Sequence, residues 1–148
     1  MQRPQKKMGD ILLVEDNQED VFLTRQCFKQ SGLEVNLKHV DNGAKCLSCL
    51  RKQNDYAKTP PPDLILLDLN MPVMSGQEVL EEMVKDDALR HFPVVILTTS
   101  AAEADVLAMS KLRCSAYVVK PVDFNEFQKA VQSIADFWFK VATLPTPA

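Results

Sequence analysis

No part of this 148-residue chain stays apolar for long. Runs such as ILLV (11–14) stop after four residues, far short of the ~18 that a transmembrane helix needs. The basic opening MQRPQKKM looks like the start of a secretory signal. Glu15 and Asp16 follow ILLV at once, however, so no h-region forms and a cytoplasmic protein is expected. Positive charge is also short: 17 Lys and Arg stand against 20 Asp and Glu, a net charge of −3. Without a bulk basic field, neither DNA binding nor membrane association is expected. Histidine is confined to His39 and His91, far apart in sequence, and each reads as structural or surface. Cys46 and Cys49 form a CxxC with no second copy and no nearby histidine pair, so buried thiols on a helix are expected rather than zinc or redox chemistry. With Cys27 and Cys114 they should be reduced in the cytosol. Compositional bias is absent too. The hydrophobic share of 46% and charged share of 25% are ordinary, which excludes disordered, collagen-like and coiled-coil chains. That apolar content suffices for one core without disulfides or a structural metal.

What the chain does have is alternation. ILLV (11–14), VNLKHV (35–40), DLILLD (63–68), PVVILT (93–98) and AYVVK (116–120) read as strands. Four are near-continuous, which suits strands covered on both faces, whereas 35–40 partly alternates and suits a sheet edge. Helical patterning predicts helices over 17–30 (with Gly32 as the stop), 42–52, 77–85, 101–112 and 123–140. Five strand–helix alternations predict an α/β fold, a doubly wound five-stranded parallel sheet with helices on both faces; in the flavodoxin-like order 2-1-3-4-5 the first and third strands are neighbours. One domain is expected over 9–141, with tails at 1–8 and 142–148 and no output domain. In the last helix Phe124, Phe127, Val131, Ile134 and Trp138 follow one buried stripe, and Phe137, Phe139 and Val141 widen it. That wider arc reads either as a helix end tucked onto its own core or as a self-association surface.

Acids stand where apolar runs end. Glu15 and Asp16 close the first strand and Asp68 closes the third. In open parallel sheets ligands bind beyond the C-terminal strand ends, at the point where strand order reverses. Acids after strands also serve as simple helix N-caps, but three converging carboxylates exceed what capping needs. Crowded carboxylates repel, and a hard divalent cation such as Mg²⁺ (or Mn²⁺) relieves the repulsion. Thr98 and Lys120 end the fourth and fifth strands. Alone, one reads as strand filler and the other as a surface lysine. Together with Asp68 and a metal they make the parts for in-line phosphoryl transfer onto a carboxylate.

With these pieces in order, ILLVEDN (11–17), LILLDLNMPVMSG (64–76), VVILTTS (94–100) and YVVKP (117–121), the chain resembles the receiver domains of two-component response regulators, over roughly residues 9 to 140. The resemblance implies a flavodoxin-like receiver fold with Asp68 as phosphoacceptor. It implies Asp16 as a direct Mg²⁺ ligand, Glu15 acting through water, and the Asn70 backbone carbonyl as a further ligand. Thr98 becomes the switch hydroxyl, Lys120 the lysine that pairs with phosphate, and the Lys120–Pro121 bond would be cis. Tyr117 falls at the rotameric aromatic switch, or is simply a half-buried strand tyrosine. The tail FWFKVATLP (137–145) and the LTTS at 97–100 are similar to small stand-alone receivers that work with bacterial and cyanobacterial phytochrome histidine kinases. The implied activity is acceptance of a phosphoryl group from a histidine kinase partner, with self-phosphotransfer and autodephosphorylation only and no enzymatic turnover. Its output would switch the face of helix 4, strand 5 and helix 5 for a partner or a homodimer through Phe137, Trp138, Phe139 and Val141.

Two rivals share the fold class. A flavodoxin-like electron carrier needs a hydroxyl- and glycine-rich loop after the first strand, and EDNQED has no glycine and would repel flavin phosphate. An aspartyl-phosphate phosphohydrolase usually carries a second acid two residues after its nucleophile, where this chain has Asn70.

Overall fold

The computed structural model describes residues 9–141, with side chains over 9–139. Five parallel strands, β1 (Gly9–Val14), β2 (Val35–Val40), β3 (Leu64–Leu67), β4 (Val94–Thr98) and β5 (Ala116–Val119), pair in the order β2-β1-β3-β4-β5. Helices α1 (Gln18–Gln30), α2 (Gly43–Leu50), α3 (Gly76–Lys85), α4 (Glu103–Lys111) and α5 (Phe124–Asp136) connect and follow them. This is the doubly wound parallel sheet that the alternation predicts, in the flavodoxin-like order that the resemblance implies. β1, β3 and β4 are buried almost throughout, as their continuous apolar runs require. β2 alternates in exposure as an edge strand does. β5 is the other edge, with Val119 40% exposed, although its run AYVV reads like an interior strand.

Strand alternation divides the interior in two. Ile11, Leu13, Leu64 and Leu66 pack against Val21, Cys27 and Phe28 of α1 and Phe127, Val131 and Ile134 of α5. Leu12, Val14, Ile65, Leu67 and Ile96 pack against α2, α3 and Met109 of α4. Each fully buried Leu, Ile or Val contributes about 1.5–3 kcal/mol. Cys46 and Cys49 belong to this second core, and burial pushes both thiols above their ordinary range. Asn17, Asn42 and Asp123 accept backbone N–H groups at the starts of α1, α2 and α5, while Ser75 and Glu78 form a capping box on α3. Gly32, at φ +78°, lies just past the end of α1 as the expected stop.

Three expectations are corrected. The last helix is not α-helical to Lys140: α5 ends at Asp136 and a π turn runs from Phe137 to Val141. The i→i+5 bonding of that turn re-aims the aromatics. The ring of Phe139 takes the space beside Gly9 at the start of β1, where a Cβ would lie 2.2 Å from it. Trp138 is half-buried, Phe137 is 52% exposed, and the side chain of Val141 lies outside those described. Second, Phe124 is no part of the buried stripe. It opens α5 before the first full turn and is 47% exposed. Third, no peptide bond among the described residues is cis, so Lys120–Pro121 is trans, the isomer favoured by about 0.5–1 kcal/mol before proline. The tails 1–8 and 142–148 lie outside the described residues.

Gly76 sets how closely α3 approaches the end of β3. A Cβ there would meet the Asp68 carbonyl oxygen at 2.2 Å and Leu69 Cα at 2.9 Å, both backbone atoms that have little room to yield. Gly76→Ala should therefore lower unfolding stability by about 1–3 kcal/mol in urea titration. An unchanged midpoint would show that the helix can lift away at no cost.

Candidate functional site

The strand order makes β1 and β3 neighbours, and pairing runs on past their ends. Glu15 N–H donates to Val40 O at 3.1 Å and Asp68 N–H to Val14 O at 3.1 Å. Glu15, Asp16 and Asp68 each thereby offer a carboxylate oxygen within 4.8 Å of the others. Glu15 and Asp68 are buried and Asp16 is exposed. Asn70 follows two residues after Asp68 with an exposed side chain.

On the far side of Asp68 from β1, β4 and β5 stay paired to their ends, with Lys120 N–H donating to Thr98 O at 2.6 Å. The Lys120 side chain crosses back towards the acids. Its Nζ donates to Glu15 Oε1 and to Asp20 Oδ2 at 2.9 Å, and lies 3.9 Å from Asp68 Oδ2. Burial pushes the Glu15 carboxyl up to about 7, which the Lys120 bond only partly offsets and the Asp68 charge reinforces. Burial pulls the Lys120 ammonium down, but its bonds to Asp20 and Glu15 outweigh that and hold it above its ordinary value. It stays charged.

Three carboxylates thus share one ammonium with a fourth, Asp16, beside Glu15 and Asp68, and the site retains negative charge that a cation would neutralise. Its oxygen donors are the hard kind that Mg²⁺ and Mn²⁺ prefer. Thr98 sharpens the fit. It is fully buried, and its Oγ1 is the one buried side-chain polar atom among the described residues without a hydrogen-bond partner. Such a group costs about 1–3 kcal/mol until an acceptor reaches it.

Tyr117 is tied to the same end of the sheet. Its hydroxyl donates to Ser100 O at 2.8 Å, and Ser100 Oγ donates to Asp105 Oδ2 at 2.6 Å, so β5, the β4–α4 loop and α4 form one chain of bonds. Burial raises the Tyr117 phenol. The loop after Asp68 is strained as well: Val73, at φ +69°, sits inside a Met74 N–H to Pro72 O bond of 2.7 Å. A β-branched residue in that conformation is an outlier, and such strain gathers at functional sites.

The structure brings Glu15, Asp16, Asp68 and Lys120 together as the sequence suggests, and adds one residue that sequence reasoning misses. Asp20 looks like an ordinary first-turn acid of α1. His39, expected to be structural or surface, is structural: its Nε2 donates to the Glu15 carbonyl at 2.7 Å and steadies the backbone of that acid. Its alternation within β2 is the signal available in the sequence, and alternation does not reveal what lies across the strand. Phe137, Trp138 and Phe139 lie on the π turn and play no part in this site.

Because Lys120 and Glu15 are buried together, removing the cation alone is costly. Lys120→Met should lower stability by about 3 kcal/mol in urea unfolding, and adding Glu15→Gln should recover part of the loss. A loss below about 1 kcal/mol would show that the buried charge does not depend on this pair.

The chain matches the response regulator receiver domain family over residues 11–132. It is 40% identical over 135 residues to the response regulator Rcp1 of Synechocystis, covering 91% of this chain and 92% of Rcp1. A probable methanogenesis regulatory protein, FilR2 of Methanothrix harundinacea, is 32% identical over 93% of this chain and 88% of its own. Among solved structures, the phosphorylated cyanobacterial phytochrome response regulator RcpA superposes with a TM-score of 0.90 at 36% identity, over 95% of this chain and 100% of its own. The Mn²⁺-bound form of Rcp1 superposes at 0.88 with 39% identity, over 93% and 99%. Fold, motif order and relatives agree: the chain belongs to the response regulator receiver domain family.

Proposed function

We propose that this chain accepts a phosphoryl group from a histidine kinase onto Asp68. The observation that carries the reading is the convergence of the Glu15, Asp16 and Asp68 carboxylates, with a buried ammonium bonded to Glu15 and 3.9 Å from Asp68, and a buried hydroxyl with no partner at the end of β4. An Asp68 carboxylate oxygen attacks phosphorus, the O–P bond forms as the P–N bond to the donor imidazole breaks, and the imidazole leaves with the electron pair. Glu15, Asp16, Asp68 and the Asn70 carbonyl would hold the divalent ion, taken as Mg²⁺ on the donor chemistry. When bound, that ion supplies charge neutralisation for the transferring group. Lys120 binds a phosphoryl oxygen, and Thr98 Oγ1 donates to another and gains the acceptor it lacks.

The kinase reading has a second support. Phe22, Val122 and Phe124 are exposed on the two segments that Asp20 and Lys120 pin together, an apolar rim suited to a partner protein. A phytochrome-type kinase is favoured because RcpA is a phytochrome response regulator and RPA3017, 30% identical with a TM-score of 0.86, is described in red light signaling of R. palustris. The unit that signals is residues 9–141, and it turns over no substrate beyond its own phosphoryl group. Its output follows from the chain Thr98, Ser100, Tyr117 and Asp105: drawing Thr98 onto the phosphoryl group shifts the loop that Tyr117 and α4 hold. The recipient is a dimer partner on the α4–β5–α5 side. There an apolar groove of about 480 Å³, lined by Val95, Val118, Ile134, Phe137 and Trp138 among others, opens beside the β5 edge.

Asp68→Asn should abolish labelling by acetyl phosphate in Mg²⁺, read by intact mass. Undiminished labelling would overturn the acceptor assignment. Phe137→Asp should shift a dimer to a monomer on size exclusion, and unchanged elution would remove this face from assembly.

A further inference from the structure

Asp20 occupies the third position of α1, where an acid commonly reaches back to the backbone N–H of the capping residue. α3 has that arrangement: Glu78 accepts from the Ser75 N–H at 3.0 Å. In α1 the equivalent donor is already used, because the Asn17 N–H donates to Glu15 Oε2 at 3.1 Å. The Asp20 carboxylate turns inward instead and accepts from Lys120 Nζ, with its side chain 26% exposed. Its backbone is held as well, the N–H by Asn17 Oδ1 at 3.0 Å and the carbonyl by the buried Thr24 hydroxyl at 2.7 Å. The carboxylate is therefore placed, not free to wander.

An ammonium has three N–H donors. Lys120 uses two on Glu15 and Asp20, and Asp68 Oδ2 at 3.9 Å is beyond hydrogen-bond reach. From this geometry we propose that Asp20 is a positioning residue that holds Lys120 off Asp68 in the resting protein, so that a phosphoryl group must draw the ammonium away from Asp20 to engage it. The proposal rests on the phosphoacceptor reading above and adds a competitor to it. Asp20 touches no reacting atom and acts through Lys120 alone. It sets how firmly the unphosphorylated arrangement resists conversion.

Beryllofluoride, a tetrahedral mimic of the phosphoryl group, titrated onto the full chain in saturating Mg²⁺ and followed by amide NMR, tests this. Asp20→Asn should bind it roughly tenfold more tightly than the unsubstituted chain, the scale of one charge-assisted hydrogen bond removed from competition. Asp20→Glu should restore most of the difference. In a Lys120→Met background the gain from Asp20→Asn should vanish, and the same gain there would mean that Asp20 acts by bulk charge and would overturn the proposal. A second measurement needs no phosphoryl mimic: the ¹⁵N ammonium signal of Lys120, protected in the unsubstituted chain, should exchange faster in Asp20→Asn. Unchanged exchange also overturns it. If the unsubstituted chain fails to bind beryllofluoride, the phosphoacceptor reading falls. If it binds and Asp20→Asn binds no better, only the role of Asp20 falls.

Discussion

A single buried ammonium holds the C-terminal edge of this sheet together. Lys120 extends from the end of β5 past the ends of β4 and β3 to reach Glu15 after β1 and Asp20 in α1, with Asp68 just out of bonding range. Without it, the three carboxylates gathered by strand order, and Asp20 of α1 beside them, would repel one another in a partly desolvated place. With it, the arrangement is held together but still charged, and that residual charge suits the site to a cation. The same ammonium that stabilises the resting fold is the one that phosphoryl chemistry would recruit. Stability and function therefore draw on one group.

The two faces of the sheet divide the work. Glu15, Asp20 and Lys120 join α1 to the strand ends on the α1–α5 side, whose core is built on Ile11, Leu13 and Leu66. Thr98 falls in register with Val94 and Ile96, which pack towards α2, α3 and α4, and Tyr117 packs with that second cluster. A change in charge at Asp68 would meet an ion-pair network on one face and, on the other, a hydroxyl and a tyrosine bonded to the β4–α4 loop. α4 is suited to respond: it has no side-chain cap and buries only Met109 fully. Helices held by few buried contacts open at low free-energy cost.

Much of this was legible in the chain. Continuous apolar runs marked β1, β3 and β4, partial alternation marked β2 as an edge, and Asn17, Asn42, Ser75 and Asp123 marked helix starts. These are local signals, carried by side-chain period and by the hydrogen-bond needs of helix ends. The strand order was what the resemblance to receiver domains implied, and it brought the three acids to neighbouring tips. The far end of the last helix was misjudged because a helical wheel assumes one constant turn. The π turn breaks that period and sends Phe139 to Gly9, a residue 130 positions earlier in the chain.

Pattern by itself determined the parallel α/β class and placed Glu15, Asp16, Asp68, Thr98 and Lys120 at strand ends, because periodicity and strand termini are properties of neighbouring residues; the sheet order came from the motifs' resemblance to receiver domains. Only the tertiary structure decided which acid binds which cation. Asn17 gives its N–H to Glu15, Asp20 is thereby turned towards Lys120, and His39 bonds the Glu15 backbone. Those choices depend on donors brought together from segments up to a hundred residues apart, and no local pattern records how such donors are shared.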